Sequence, residues 1–174
     1  LILEEKLPAN APMYDGDGAW QALKDATPSA QFIDLRESFA ASGEGLYYRT
    51  DHHWTTQGAF LAYTRYCDAM GLTPKSMEYF GLEKVSDSFL GTIYSKTLDS
   101  AAQPEEIWAA KNLPQVRVTV DGTRVMDGIY SEEFLQKKDQ YAYFFGGNWG
   151  RVDIETQAGN GKTLVILKDS FANC

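Results

Sequence analysis

The chain has two histidines, and they are adjacent: His52 and His53, directly after Asp51. A carboxylate beside an imidazole can fix its tautomer and stabilise the imidazolium, which is what a general base requires. The same run suits a plain loop, and Asp51-His52-His53 is also a donor set for a divalent cation. A second feature is Asp169-Ser170, after the apolar run Thr163–Leu167 (TLVIL). A serine at a sharp strand-to-helix turn exposes its Oγ, and the new helix offers N–H groups to an oxyanion. Asp and Ser are equally ordinary helix caps. Together the two features supply a nucleophile, a base and an orienting carboxylate, each at the C-terminal end of an expected strand.

The elements that must position these residues read as α/β. Asp17–Thr27 has an Asp start and apolar residues at helical spacing, with Pro28 after it. Gln31–Leu35 is expected as a short buried strand, Arg36–Ser42 as a short helix ended by Gly43, and Leu46–Arg49 as a second strand. Thr55 or Thr56 can cap a helix that runs to Met70, with Gly71 as its stop. Val116–Val120, Asp121-Gly122 and Thr123–Met126 give the best hairpin signal of the chain. Ser131–Lys138 is expected as a helix, and Tyr141–Phe145, Arg151–Thr156 and Thr163–Leu167 as strands. Lys168, alternating with Asp169 along the last of these, is expected to point away from the site. Strands with polar clusters at their C-terminal ends, alternating with helices, imply an open α/β sheet, with irregular β structure in the middle third.

Composition narrows the function classes. The 174 residues suit one domain, hydrophobic content is 44% and charged content 23%, so the chain is an ordinary globular one. Sixteen Lys plus Arg against 24 Asp plus Glu give a formal charge of −8. An acidic chain without a basic run is a poor nucleic-acid binder, because phosphates need clustered cations. No apolar stretch reaches the ~20 residues of a transmembrane helix. Two cysteines, Cys67 and Cys174, are too few for a disulfide scaffold. The opening on Leu1-Ile2-Leu3 and the close four residues after Ser170 read as the ends of a fragment, complete neither in targeting signals nor at the C-terminus.

The segment Leu46-Tyr47-Tyr48-Arg49-Thr50-Asp51-His52-His53-Trp54-Thr55-Thr56-Gln57-Gly58-Ala59, followed by Val165-Ile166-Leu167-Lys168-Asp169-Ser170-Phe171-Ala172-Asn173, resembles the bacterial DHHW protein family. That family is similar to SGNH-type acyl hydrolases and to alginate O-acetyltransferase-like proteins. The resemblance implies one SGNH-like, flavodoxin-like domain over 1–174, with a mainly parallel sheet, helices on both faces and a β-rich insertion at about 76–138. It makes Asp51 and His53 the dyad and Ser170 the nucleophile of a two-step acyl transfer, with no cofactor and no metal. Gly147 and Asn148 become candidates for the oxyanion pocket, with a plain reverse turn as the other reading. Trp54 is a candidate platform for a sugar face or a packing residue of the loop, and Arg49 and Tyr48 candidate pocket walls. The implied substrate is an acetylated glycan or a carbohydrate acceptor, with a membrane-bound acyl-donor partner and an extracytoplasmic location. Lys168 stands where simple SGNH hydrolases carry Gly.

Two other readings compete. A metal-dependent phosphoesterase would use Asp51-His52-His53 together with the acidic Asp15-Gly16-Asp17-Gly18. A non-catalytic carbohydrate-binding or assembly module would keep the same residues without an activated serine.

Overall fold

The computed structural model describes residues 9–11, 14–43 and 45–174. Asp15 accepts the Gly18 N–H at 2.8 Å and starts helix α1 (Gly16–Ala26); Asp17, in its first turn, pairs with Arg36 at the head of α2 (Arg36–Ala41). The acidic pair of the phosphoesterase reading is thus spent on a cap and a surface ion pair. Thr55 caps α3 (Thr56–Ala69) by accepting the Gly58 N–H at 3.3 Å, and Gly71 closes that helix end at φ +65°. A Cβ at Gly58 would stand 2.5 Å from the Leu46 carbonyl, so the close approach of α3 to the segment carrying Asp51 requires glycine there. Phe80 of α4 (Met77–Phe80) packs edge-on against Tyr63 of α3, with ring centroids 5.6 Å apart.

The sheets are antiparallel. Strands β1 (Leu82–Phe89) and β2 (Glu105–Ala110) pair from Leu82↔Ala110 to Phe89↔Glu105, with bulges between, and α5 (Thr92–Thr97) lies in their connection. Strands β3 (Val116–Val120), β4 (Arg124–Met126) and β5 (Val152–Thr156) form a second sheet in the order β4-β3-β5. The expected hairpin is the β3–β4 unit, its turn made by Asp121 at φ +48° and Gly122 at φ +73°, both left-handed as a type I′ turn demands. β1 to β4 all lie in the stretch where irregular β structure is expected.

The open parallel sheet is not there: among the described residues every strand pair is antiparallel, in one sheet of two strands and one of three. Gln31–Leu35 is irregular, and Leu46–Arg49 contributes only a bridge, Tyr47↔Trp54. Tyr141–Phe145 is not a strand: Tyr141–Tyr143 end a buried 3₁₀ turn, Gln140–Tyr143, and Phe144 makes only a bridge to Tyr130. Thr163–Leu167 is exposed, with Leu167 at 96%, and forms no strand. The physical reason is common to these four. A short apolar run fixes no pairing: a strand needs a neighbour along its length to take its N–H and C=O groups, and these segments have at most an isolated bridge.

The core gathers Tyr48, Phe89, Ile107, Ala109, Tyr141, Tyr143 and Phe144. β2 feeds it by alternation: Ile107 and Ala109 point inward while Glu106 and Trp108 face outward. Full burial of Phe89 and Ile107 contributes about 1.5–3 kcal/mol each. Tyr141 of this aromatic layer stacks on His53, one of the candidate site residues.

Candidate active site

Residues 46–55 fold into a tight double-back. The Tyr47↔Trp54 bridge is extended by Tyr48 N–H to the His53 carbonyl (3.2 Å) and Thr55 N–H to the Leu46 carbonyl (2.9 Å). Asp51 and His53 end up buried, at 2% and 5% exposure, while His52 between them faces solvent. Along the loop the two histidines therefore differ in burial, although their rings remain in contact.

Asp51 is held by four hydrogen bonds. Its Oδ1 accepts from the His53 N–H (2.9 Å) and lies 2.5 Å from His53 Nδ1; its Oδ2 accepts from the Thr92 N–H (2.7 Å) and hydroxyl (3.0 Å). Burial pushes this carboxyl up, but the bonds from the His53 ring, Thr92 and the His53 amide outweigh it. They hold Asp51 well below the usual carboxylate range. An ionised Asp51 can only accept, so Nδ1–H donates to it, and in the neutral imidazole Nε2 is then the acceptor. Nε2 lies 3.0 Å from the Oγ of Ser170, a residue 117 positions further along the chain.

Ser170 opens the 3₁₀ turn Ser170–Asn173, where Asp169 accepts the Phe171 N–H at 2.9 Å. Two rings fix the imidazole from its sides. Tyr141 stacks on His53 with centroids 3.9 Å apart and planes 11° apart, and its hydroxyl donates to the Phe171 carbonyl at 3.3 Å. His52 is the second, its centroid 3.9 Å from that of His53 and its plane tilted by 38°. His52 Nδ1 reaches the Thr92 hydroxyl at 2.6 Å, and that hydroxyl donates on to Asp51. His52 thus supports Asp51 at one remove.

The other expected residues are divided by the structure. Asn148 comes to the Ser170–Asn173 turn: its Oδ1 accepts from Asn173 Nδ2 at 2.9 Å, and Asn173 is 6% exposed. It sits in a loop where Phe145, Gly146 and Gly147 all have positive φ (+60°, +69°, +117°). A bulky aromatic in that region stores strain of about 1–3 kcal/mol. Lys168 Nζ donates to the Asn173 side-chain Oδ1 and so faces the turn instead of pointing away, because residues 163–169 lack the strand whose alternation set that expectation. Trp54 packs against Phe171 (5.2 Å) and Phe39 (6.5 Å), as a loop-packing residue does. Tyr48 is buried against Phe89 and Tyr141. Arg49 is exposed and lines a neighbouring cleft of about 900 Å³ with Tyr47, Gln57, Glu106 and Trp108.

Asp51, His52 and His53 also bring one ligand atom each within 4.8 Å of one another, the geometric minimum for a cation. A cation there would have to displace the bonds from His53 and Thr92 that already occupy both Asp51 oxygens. Sequence reasoning missed Gly91, Thr92, Glu105 and Tyr141. A Cβ at Gly91 would stand 2.3 Å from Asp51 Cβ, so only glycine lets α5 meet the carboxylate. A Gly-Thr pair before a short helix carries no local sign of such a partner 41 residues upstream.

A family model described as "DHHW protein" matches residues 31–174. The chain belongs to the DHHW family. The crystal structure of a DHHW family protein from Eubacterium siraeum is similar to this chain at 27% identity and a TM-score of 0.65. The match covers 77% of this chain and 47% of that one, so the chain spans about half the length of that relative. No curated protein matches the chain. The DHHW run itself, Asp51 to Trp54, is the loop that buries Asp51 and His53 and turns Trp54 back over Phe171.

Proposed function

We propose that this DHHW chain carries a serine-dependent acyl-transfer centre, acting as an esterase or O-acetyltransferase on a carbohydrate. One observation carries the reading: the unbroken relay from Asp51 through His53 to Ser170, with contacts of 2.5 Å and 3.0 Å. These are the distances over which a carboxylate orients an imidazole and an imidazole takes a hydroxyl proton.

In the first step Ser170 Oγ bonds to the ester carbonyl carbon while its proton passes to His53 Nε2. Asp51 stabilises the imidazolium. The tetrahedral intermediate collapses, the C–O bond to the leaving alcohol breaks, and the Nε2 proton goes to that alcohol. Water or a sugar hydroxyl then gives its proton to Nε2 and attacks the acyl-enzyme, releasing the acid or the new ester and restoring Ser170. Gly147 and Asn148, brought beside the turn by the Asn148–Asn173 bond, join the Ser170 N–H as oxyanion donors.

The kinship to SGNH-type hydrolases and alginate O-acetyltransferase-like proteins, the glycan, a membrane-bound acyl donor and an extracytoplasmic location all belong to this proposal. They rest on the likeness of the Asp51-x-His53-Trp54 and Asp169-Ser170-Phe171 motifs, and the kinship extends to the site chemistry, not to the sheet. No helix among the described residues is long and apolar enough to cross a membrane.

The test is release of p-nitrophenol from p-nitrophenyl acetate by wild type, Ser170→Ala and His53→Ala in the presence of EDTA. Turnover by wild type that both variants lose by at least a hundredfold, with no effect of the chelator, supports the reading. A folded wild type without turnover overturns it in favour of a binding module, and equal turnover in Ser170→Ala overturns the serine mechanism.

A further inference from the structure

We infer that Glu105 is a positioning residue for Asp51, a second carboxylate that clamps the backbone from which the first one hangs; this rests on the acyl-transfer reading of the site. Glu105 is the first residue of β2, and its side chain is only 11% exposed. Its Oε1 accepts the Arg49 N–H at 2.8 Å. Its Oε2 accepts the Arg49 N–H at 3.0 Å, the Thr50 N–H at 2.7 Å and the Thr50 hydroxyl at 2.6 Å. Both residues immediately before Asp51 are thereby tied to one carboxylate, 55 and 56 positions away.

The clamp does more than satisfy a strand end. Thr50 is itself buried, its hydroxyl also accepts the Gly91 N–H at 3.2 Å, and its carbonyl accepts the Tyr94 N–H at 3.0 Å. Gly91 and Thr92 start the α5 segment that closes over Asp51 Oδ2. The loop with Asp51, the head of α5 and the start of β2 are therefore joined at Thr50, with Glu105 as the charged member. Arg49 does not neutralise it closely, since its Nε stands 3.6 Å from Oε1 and its side chain is 77% exposed. Glu105 is bonded chiefly to amide donors, the arrangement in which a carboxylate fixes backbone geometry. Asp51 and Glu105 then divide the work, one orienting the imidazole and the other orienting Asp51.

Glu105→Gln keeps the size but turns an NH₂ towards donors, and Glu105→Ala removes the clamp. Glu106→Gln, on the outward face of β2, is the control. Kinetics on p-nitrophenyl acetate are read together with the ring nitrogen-15 shifts of His53, which report how fully the proton sits on Nδ1. The expected result is a fall in kcat of about tenfold for Glu105→Gln and about a hundredfold for Glu105→Ala, with KM within about twofold. The His53 shifts move away from the pure Nδ1–H tautomer in both, while Glu106→Gln changes neither. If Glu105→Ala does not fold, Glu105→Gln decides. Unmoved His53 shifts in folded Glu105→Gln overturn the inference, whether or not kcat falls. A protein without esterase activity whose His53 shifts still move in Glu105→Gln loses the acyl-transfer reading and keeps the clamp.

Discussion

Adding one methyl group at Gly91 is the sharpest perturbation of this site. The backbone there is extended (φ −87°, ψ −158°), a conformation alanine adopts freely, so the change carries no conformational strain. It even removes disorder from the unfolded chain, a stabilising effect of about 0.4–1 kcal/mol. The steric effect is severe: the new Cβ would lie 2.3 Å from both Cβ and Oδ2 of Asp51. Ordinary contact is about 3.5–4 Å, so the two must separate by more than about 1 Å. Asp51 Oδ1 begins 2.5 Å from His53 Nδ1, and such a retreat takes that bond beyond useful length. Loss of the orienting carboxylate in a triad costs about 10⁴ in rate, and a misplacement of about 1 Å costs about 10². Gly91→Ala is therefore expected to lower kcat/KM for p-nitrophenyl acetate by about 10²–10⁴, with a net stability loss of about 1–3 kcal/mol from overpacking. The assay is esterase kinetics, with circular dichroism to show that the variant is folded. A folded Gly91→Ala protein with activity within threefold of wild type would refute the reasoning.

Other outcomes follow from the same contacts. Tyr141→Phe removes only the 3.3 Å bond to the Phe171 carbonyl and should cost about 0.5–1.5 kcal/mol, whereas Tyr141→Ala, which also removes the ring stacked on His53, should cost about 3–5 kcal/mol and most of the activity; chemical denaturation separates the two. Because the carboxyl of Asp51 is depressed in the folded state, the stability it contributes is complete above the ordinary carboxylate pKa of about 3.9 and is lost as pH falls below it. Thermal melts of Asp51→Asn should accordingly lose stability less steeply than wild type below about pH 4, and parallel slopes would contradict the linkage. Leu98 ends α5 in the left-handed region at φ +51° with its side chain 70% exposed, so Leu98→Gly should raise stability by up to about 1 kcal/mol in thermal melts.

What could be read in the sequence was local chemistry. Asp51 and His53 are two residues apart, and any tight loop that buries both brings a carboxylate to an imidazole. The Asp121-Gly122 turn and the Thr55 cap were legible for the same reason, since each depends on the conformational preference of one or two residues. The sheet was not. Tyr141–Phe144 and Leu164–Leu167 are equally apolar as text, yet the first is buried in a 3₁₀ turn and the second stands in solvent. Nothing in a run of apolar residues says which neighbour will take its backbone hydrogen bonds. Glu105 and Gly91 were invisible because what they do is set by a partner loop some 40 to 56 residues upstream.

The central claim is that Ser170 is an activated nucleophile. The most direct measurement is the intact mass of the protein after brief exposure to p-nitrophenyl acetate, followed by peptide mapping of the adduct. One acetyl group on Ser170, absent from His53→Ala, is the result this account predicts. A folded protein with no adduct, or with acetyl groups on surface lysines alone, would contradict it.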